Sequence, residues 1–494
     1  MSAAEPNTRL LVGPFNRVEG DLEVLLDVRE GAVQSARVNA TMYRGFETLL
    51  QGKAPMDALV YVPRICGICS VSQSVAATYA LRDAAGPLAE PMPANGQHAL
   101  NLMLACENLA DHLTHFYLFF MPDFTREVYA PRAWHAAAQA RFAPLQGLHA
   151  RQATAARQRW FQLLGTLGGK WPHTQSIGPG GSARPIDLSE RLRLLSWVHE
   201  MRQFLETTLF AAPLEAIASL DSEAALQQWW QADVPDAGDL RLFLTLAHDL
   251  QLERLGVGPG AAFSHGAYLQ PDGAHLLPGG VWQPGSQAVS PLQPQAITED
   301  ATHAWLQGSQ PLHPAQGHTQ PDADKAGAYT WNKAPRLAGQ VMETGAVARQ
   351  LCSGQPLVRE AVQRSGLNVY TRVLARLIEL ARVLPEMTRW LQALQPGQPW
   401  HAPCPLPDEG EGAGLSEAAR GALGHWLRIE QGQLAHYQIV APTSWNFSPR
   451  DAQGQPGALE QALVGAPVLP AEDTPVAVQH IVRSFDPCMV CTVH

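Results

Sequence analysis

Two Cys-x-x-Cys pairs lie at opposite ends of this 494-residue chain, Cys66 with Cys69 and Cys488 with Cys491, the second pair ending three residues before His494. A two-residue spacer lets both sulfurs of a pair face one point, and four thiolates together are a common ligand set for a soft metal ion. The two pairs can share an ion only if the fold brings the C-terminus against the N-terminal part. This requirement constrains the fold more than any other feature of the sequence.

Two simpler interpretations of these cysteines compete with a shared catalytic metal. One is a structural zinc, but zinc ribbons separate their pairs by about 15–20 residues, whereas more than four hundred residues intervene here. The other is a redox-active dithiol, but that motif belongs to a βαβ context, which two terminal copies do not supply. Spacing alone leaves zinc and an iron–sulfur cluster open as occupants.

Charge and composition exclude several classes of partner. The net charge of −10 is mild for this length and no basic run is present, so we expect neither nucleic acid nor an anionic membrane surface as a partner. Residues 1–7 are polar, and no apolar stretch approaches the roughly 20 residues that cross a bilayer, so neither a signal peptide nor a membrane span is expected. Free thiolates suit a reducing compartment, and we therefore expect a cytoplasmic protein.

The chain contains no Ser/Gly linker or charge run that would separate domains, so we expect one unit over residues 1–494. Leu10 to Thr41 alternates apolar and polar residues in short runs, which is typical of a small antiparallel sheet. Four regions are expected within the unit: a sheet-containing part (1–60), a helical core (61–255), an irregular segment rich in Gly and Pro (256–330), and a helical part with the C-terminal metal-binding segment (331–494).

Helical patterns cover much of the chain. The predicted helices are Val71 to Ala85, Gln97 to Phe120, Trp134 to Leu164, Leu188 to Leu209, Ala237 to Leu255 and Val369 to Leu394. The segment from Gln97 to Phe120 is apolar nearly all round and should be buried. The sequence therefore predicts an α+β fold in which helices predominate, with a central helix bundle and small peripheral antiparallel sheets.

The residues around the cysteines resemble the two cysteine motifs of the large subunit of nickel–iron hydrogenases. These residues are Arg64-Ile65-Cys66-Gly67-Ile68-Cys69 and Asp486-Pro487-Cys488-Met489-Val490-Cys491. Further stretches resemble motifs of the same family in the same order: Arg17-Val18-Glu19-Gly20, Tyr43-Arg44-Gly45-Phe46-Glu47, Asp111-His112-Leu113-Thr114-His115, Trp331-Asn332-Lys333-Ala334-Pro335-Arg336, Glu417-Ala418-Ala419-Arg420-Gly421 and Pro442-Thr443-Ser444-Trp445-Asn446. The resemblance thus spans nearly the whole chain and implies the hydrogenase large-subunit fold.

The resemblance implies a nickel held by the four cysteines, with Cys69 and Cys491 also bridging to an iron that carries two cyanides and one carbon monoxide. It implies heterolytic cleavage of H2, for which Glu19 matches the proton-transfer glutamate. Arg420 matches the arginine above the metal pair. A buried arginine needs carboxylates, and the matching partners are Asp111 and Asp486.

The same resemblance assigns residues around the metals. Pro442, Thr443 and Ser444, with Ala419 in place of the usual proline, match the surroundings of the iron's cyanides, to which hydroxyl and backbone N–H groups donate. Glu47 and His494 match ligands of a structural magnesium. Lys333 and Glu343 are predicted to lie around that ion, although an ordinary buried ion pair explains them nearly as well.

Departures from the common pattern resemble the regulatory, H2-sensing branch of the family. Gln73 replaces a histidine, Ile68 a valine, and Phe116 a leucine that lines the gas route, and the chain stops at His494, where most large subunits carry a tail removed after nickel insertion. Two larger side chains would narrow a gas channel, although Phe116 alone would be read as ordinary core packing. These departures predict a slow, oxygen-tolerant H2 sensor that controls hydrogenase gene expression. A histidine kinase is predicted as a further partner.

Two other functions remain open, an energy-conserving uptake or bidirectional hydrogenase and a zinc-stabilised helical scaffold. Once four cysteines are assigned to the metals, Cys106, Cys352 and Cys404 are scattered along the chain. They cannot ligate an iron–sulfur cluster, so electrons must pass to another polypeptide. The resemblance identifies this partner as a small subunit that carries the iron–sulfur clusters and, in exported hydrogenases, also the export signal.

Overall fold

Helices make up most of the regular structure in the computed structural model, which describes residues 8–286, 288–470 and 472–492. Helices α4 and α8 each continue into a π-helical segment, His115–Phe120 and Leu205–Leu209. The α-helices are α1 (Phe46–Leu50), α2 (Ala58–Tyr61), α3 (Ser70–Ala85), α4 (Ala94–Thr114), α5 (His135–Phe142), α6 (Leu148–Trp160), α7 (Gln162–Gly168), α8 (Leu188–Phe204), α9 (Leu214–Ala218), α10 (Glu223–Gln231), α11 (Asp239–Asp249), α12 (Ala346–Cys352), α13 (Pro356–Ser365), α14 (Val369–Ala393), α15 (Pro442–Asn446), α16 (Ala458–Leu463) and α17 (Val476–Ser484).

The strands form small antiparallel sheets. They are β1 (Thr8–Val12), β2 (Leu22–Arg29), β3 (Ala32–Ala40), β4 (Ile177–Gly178), β5 (Gly181–Ser182), β6 (Ala262–Ser264), β7 (Ala267–Leu269), β8 (His275–Leu277), β9 (Gly280–Trp282), β10 (Ile297–Asp300), β11 (Ala334–Leu337), β12 (Gly410–Ala418), β13 (Gly421–Glu430) and β14 (Gln433–Val440). Strands β1-β2-β3 and β12-β13-β14 make three-stranded sheets, and β4–β5, β6–β9, β7–β8 and β10–β11 pair in twos. This helix-dominated α+β architecture confirms the predicted fold class.

The long predicted helices form the core. Helix α4 packs against α14, and both are buried over most of their length, as the apolar character of the segment from Gln97 predicts. The single helix expected over Trp134 to Leu164 is instead three, α5 to α7. Pro144 and Gly147 lie between α5 and α6, and such residues end helices because proline removes a backbone donor and glycine is flexible.

The sheet β12-β13-β14 was not predicted, because residues 331–494 were expected to be helical outside the metal-binding segment. Gly and Ala dominate β12, and both give a weak strand signal. Their role is close packing: a β-carbon on Gly412 or Gly414 would overlap the carbonyl oxygen of Ala80 or Ala76 on α3. The sheet therefore lies directly on the helix that follows the first cysteine pair.

This close approach predicts a large effect of one methyl group. Gly414→Ala should lower the free energy of unfolding by about 3 kcal/mol, because neither the strand nor α3 can move away without losing backbone hydrogen bonds. Urea unfolding of the metal-free protein measures the change. Gly165→Ala is the control, since no atom lies within 4 Å of the added β-carbon and alanine is the better helix former; equal destabilisation by both variants would contradict the packing argument.

The two ends of the chain meet, as the cysteine spacing requires. The backbone N–H of Glu19 donates to the carbonyl of Pro487 (3.2 Å), and the N–H of Met489 donates to the carbonyl of Glu19 (2.7 Å). This short parallel bridge fixes the Arg-x-Glu-Gly segment against the second cysteine pair. Among the helices of the described residues, none combines the length and apolar character needed to cross a membrane.

Candidate metal centre

The four predicted metal-binding cysteines form one buried cluster. The Sγ atoms of Cys66, Cys69, Cys488 and Cys491 all lie within 4.8 Å of one another. The sulfurs of Cys488 and Cys491 lie 3.0 Å apart, and the pairs contact each other through Cys66 with Cys488 (3.4 Å) and Cys69 with Cys491 (3.2 Å). Two sulfurs bound to one ion at about 2.3 Å lie at most about 4.6 Å apart, and the three contacts of 3.0 to 3.4 Å meet this limit, so the cluster has dimensions close to those of a shared metal site.

Local structure places the first pair. Cys69 is the N-cap residue of α3, and the buried carboxylate of Glu107 on α4 accepts hydrogen bonds from the backbone N–H groups of Val71 and Ser72 (both 2.8 Å). Glu107 thereby satisfies donors that the start of a helix leaves without partners. The backbone N–H of Ile68 donates to the sulfur of Cys66 (3.3 Å), an interaction that favours a thiolate there.

The four sulfurs shift one another's pKa values. Hydrogen bonds from Cys488, Cys491 and Cys69 hold the pKa of Cys66 well below its usual value. Hydrogen bonding to the neighbouring sulfurs, followed by burial, raises the pKa of Cys69 well above it, and burial with the same neighbours raises that of Cys488. A cation at the centre would favour the thiolate form of all four sulfurs.

Arg420 is buried between the two carboxylates predicted for it. Its Nη1 lies 2.8 Å from Asp111 and its Nη2 3.1 Å from Asp486, while its Nε donates to the backbone carbonyl of Asp486 (2.9 Å). Burial raises the pKa of Asp111, and the positive charge of Arg420 opposes this shift. For Asp486, burial acts in the same direction but Arg420, then His115 and Arg376, outweigh it and lower the pKa.

Glu19 is partly buried next to the cluster. Burial raises the pKa of its carboxyl group, and the charge of Cys66 acts in the same direction, while Arg420 opposes both. A raised pKa brings a carboxylate closer to the range in which it can accept and release a proton. His115, four residues after Asp111, donates from Nε2 to the carbonyl of Arg483 (2.7 Å).

The Pro-Thr-Ser segment forms the start of the short helix α15, and all three side chains are buried. The hydroxyl of Thr443 accepts a hydrogen bond from the backbone N–H of Cys488 (3.3 Å), so the segment lies against the second cysteine pair. Ala419 is buried in the turn before Arg420. The four residues predicted to surround the iron are therefore placed near the cysteines or the arginine.

Glu47 lines a cavity of about 10 Å³ together with Lys333, Glu299, Thr319 and Thr492, which is room for about one water or small ion. Its carboxylate accepts hydrogen bonds from the Thr319 hydroxyl and from the backbone N–H of Ile439. Lys333 Nζ lies 4.0 Å from Glu47 and donates to Gln438 Oε1 (2.6 Å). His494, the other predicted magnesium ligand, lies outside the described residues.

The prediction that Glu343 joins Lys333 in this region is wrong. Glu343 pairs with Arg372 on α14 at 2.7 and 2.8 Å, and the acid beside Lys333 is Glu299, at 3.3 Å. A motif places a charged residue in the sequence but does not select its partner, because burial forces each charge to pair with whichever opposite charge the fold brings near.

Ile68 and Phe116 lie in different parts of the interior. Ile68 packs with the apolar cluster that contains Cys66 and Cys69. Phe116 belongs to the main core, where its ring contacts those of Tyr117, Phe142 and Phe243 at centroid distances of 5.1, 6.1 and 6.3 Å. Gln73, at the third unusual position, accepts a hydrogen bond from Nε2 of His425 (2.8 Å), whose Nδ1 accepts from the Tyr437 hydroxyl (2.8 Å).

Sequence reasoning missed three buried charged residues near the site. They are Glu107, Arg349 and Asp123, the last of which accepts hydrogen bonds from Arg17, Arg126 and Arg483. Each stands within an apolar stretch of its helix or turn. A charge inside such a stretch is a signal of a buried ion pair or capping interaction, since an unpaired buried charge is strongly destabilising.

Comparison with known proteins decides the family. The family model described as nickel-dependent hydrogenase matches residues 44–154 and 147–494. The chain belongs to the nickel-dependent hydrogenases. The hydrogenase is 29% identical to the periplasmic [NiFeSe] hydrogenase large subunit of Desulfomicrobium baculatum, over 100% of this chain and 96% of that protein. It is 30% identical to the hydrogenase-1 large chain of Citrobacter freundii, over 98% and 95%.

Solved structures agree with this assignment. The nickel–iron–selenium hydrogenase of D. vulgaris Hildenborough in the reduced state superposes with a TM-score of 0.84 at 29% identity, covering 99% of this chain and 100% of that one. The four-cysteine cluster is the nickel–iron site of this hydrogenase. Its donor set fits, since four soft sulfur ligands converge in a buried position with a guanidinium to balance the charge of their thiolates.

Proposed function

We propose that the chain is the catalytic subunit in which H2 is cleaved heterolytically between the metals and nearby bases. The observation that carries this proposal is the placement of Arg420: a guanidinium held by Asp111 and Asp486 that also acts electrostatically on Cys488 and Cys66. The bound nickel–iron centre supplies the electrophile that polarises H2. Arg420 supplies a fixed positive charge and N–H donors beside it, which orient the substrate and exclude bulk water.

Glu19 is the proposed acceptor of the proton. Its main chain is hydrogen-bonded to Pro487 and Met489 on either side of Cys488, so its side chain starts from a fixed position beside the second cysteine pair. Its raised pKa suits a group that takes a proton from the site and passes it on. Asp111 and Asp486 hold Arg420 and do not need to change charge for this step.

Thr443, Ser444 and Pro442, with Ala419, are the proposed surroundings of the iron's cyanide and carbon monoxide ligands. Thr443 lies within hydrogen-bond distance of the Cys488 N–H, so the short helix α15 lies next to the second cysteine pair. Glu47 is the proposed protein ligand of a structural magnesium. Lys333 and Glu299 form an ion pair next to it. The cavity beside Glu47, which Thr492 also lines, supports this placement.

The proposed partner is an iron–sulfur small subunit. Cys106 and Cys352 are buried away from the metal centre. The sulfur of Cys106 donates to the carbonyl of Trp160 and that of Cys352 to the carbonyl of Gly280, so the two cysteines do not form a site for an iron–sulfur cluster. The named relatives are large subunits or large chains, which supports an assembly with a second chain that takes the electrons.

We further propose that this hydrogenase is a slow, oxygen-tolerant H2 sensor acting in the cytoplasm through a histidine kinase. Its support is the combination of Ile68 between the first two cysteines, Phe116 in a dense aromatic core and Gln73 bonded to His425. The second candidate is an uptake hydrogenase, favoured by the 26% identity to the uptake hydrogenase large subunit of Rubrivivax gelatinosus over 98% of this chain.

One experiment separates the two functions. The chain is produced with its small subunit, and H2 oxidation with a viologen dye is measured before and after exposure to air. A low rate that survives air, together with H2-dependent phosphorylation of a co-purifying kinase, supports sensing. A high rate that feeds a respiratory acceptor supports uptake, and absence of any H2 reactivity in metal-loaded protein would overturn both.

The gas-channel hypothesis makes its own prediction. Replacing Ile68 by Val and Phe116 by Leu together should leave H2 oxidation within about two-fold but make it oxygen-sensitive, because smaller side chains widen the route for the larger gas. The rate constant of inactivation by O2 measures this. Phe243→Leu, which trims a neighbouring ring, is the control; unchanged resistance in the double variant would contradict the hypothesis.

A further inference from the structure

Arg349 on α12 is a completely buried arginine that has no assigned role so far. All five of its N–H donors have partners. Nε and Nη2 donate to Glu379 on α14, and Nη1 donates to Glu417 on β12 (2.8 Å). The remaining N–H groups of Nη1 and Nη2 donate to the backbone carbonyls of Ala418 (2.7 Å) and Ala419 (2.9 Å).

Those two carbonyls belong to the turn that presents Arg420. Ala418 pairs with Gly421 at the end of the β12–β13 hairpin, so Ala419 and Arg420 are the two central residues of the turn. A two-residue turn has few backbone conformations. Fixing the carbonyls immediately before Arg420 therefore fixes the direction in which its side chain leaves the main chain.

The anchor itself is rigid. Glu379 also accepts hydrogen bonds from Gln350 (3.0 Å) and lies 3.1 Å from Nε2 of His112, and Glu417 accepts from Ser264 and the backbone N–H of His265. The guanidinium of Arg349 is thus clamped from two sides by carboxylates that are themselves held. Only a planar guanidinium can reach two carboxylates and two carbonyls at once; an ammonium has three donors and no fork.

We infer that Arg349 is a positioning residue for H2 cleavage: it sets the guanidinium of Arg420 above the metal centre by holding the 418–421 turn, and does so without touching the metals. The inference rests on the role proposed for Arg420. A group that acts only through Arg420 must lose its importance once Arg420 has been altered, whereas a residue with a general structural role must not.

The test compares Arg349→Lys, Arg420→Lys and the double variant in the hydrogenase assembled with its small subunit. Arg349→Lys should lower kcat for H2 oxidation and for H2/D2 exchange by about 10- to 100-fold, the usual loss when a residue that orients groups around a metal site is replaced. The KM for H2 and the nickel content should stay within about two-fold. A crystal structure of the metal-free variant should show the 418–421 turn displaced and the Arg420 contact to Asp486 lost.

The kcat of the double variant should be no lower than that of Arg420→Lys alone.

Arg336→Lys is the matched control, because Arg336 is another buried arginine that donates to backbone carbonyls, those of Pro335, Pro449 and Gln455. It should lower the melting temperature by a similar amount but leave kcat within about two-fold. If Arg349→Lys does not fold, Glu417→Gln loosens the same anchor and must show the same lack of additivity. The inference would be overturned if the two substitutions lowered kcat independently, so that their factors multiplied in the double variant, or if Arg336→Lys also had a low kcat. Absence of H2 reactivity in the unmodified hydrogenase would overturn the proposed function instead.

Discussion

Replacing Cys491 by Ser should give a folded protein that retains little nickel and has no measurable H2 activity. A serine hydroxyl does not ionise near neutral pH, and metal ligands of this kind bind as anions. The substitution removes one of four sulfurs that lie within 4.8 Å of one another, including the sulfur 3.0 Å from Cys488. Elemental analysis for nickel and iron and a dye-linked H2 assay measure the outcome.

Cys352→Ser is the matched control for this substitution. Cys352 is also buried, and its sulfur donates to the carbonyl of Gly280 (3.2 Å), a bond that a serine hydroxyl can keep. The control should therefore retain its metal and its activity with a small change in melting temperature. If Cys491→Ser bound nickel as well as Cys352→Ser does, the four sulfurs would not form one site.

The meeting of the two ends of the chain could be predicted from the positions of the two cysteine pairs alone. Four thiolates from two distant pairs make one site only if the chain ends meet, and the bridge between Glu19 and Cys488 is how this fold achieves it. That Arg420 needs carboxylates was predictable because a buried guanidinium must be paired, whereas the choice of Asp111 and Asp486 came from the resemblance to the hydrogenase family. These requirements hold whatever the details of the surrounding packing.

The features that were not predicted depend on packing between distant segments. Nothing local in β12 indicates a strand, because its glycines are present for the approach of α3 rather than for strand propensity. Glu343 was paired with the wrong cation, since its partner Arg372 lies on a helix whose docking cannot be read from either motif. Arg349 was missed because its carboxylate partners, Glu379 and Glu417, lie on distant segments, and because its bonds to the carbonyls of Ala418 and Ala419 involve main-chain atoms that every residue has.

Replacing Glu19 by Gln should abolish most of the turnover and leave the metal centre in place. The amide keeps the size of the side chain and leaves the main-chain bonds to Pro487 and Met489 intact, so nickel and iron contents should not change. It cannot accept a proton as a carboxylate does, and loss of a positioned base costs about 10²- to 10⁴-fold in rate. Dye-linked H2 oxidation and H2/D2 exchange with solvent should both fall by this factor.

A neighbouring glutamate provides the comparison that makes this result specific. Glu23, on β2 of the same N-terminal segment, accepts a hydrogen bond from the Asn39 side chain (3.0 Å) and lies in the sheet rather than in the bridge to Cys488. Glu23→Gln removes the same charge from the same segment and should react with H2 at the normal rate. If Glu19→Gln turned over as fast as Glu23→Gln, the proton would leave the site through another group, and the raised pKa of Glu19 would reflect its burial alone.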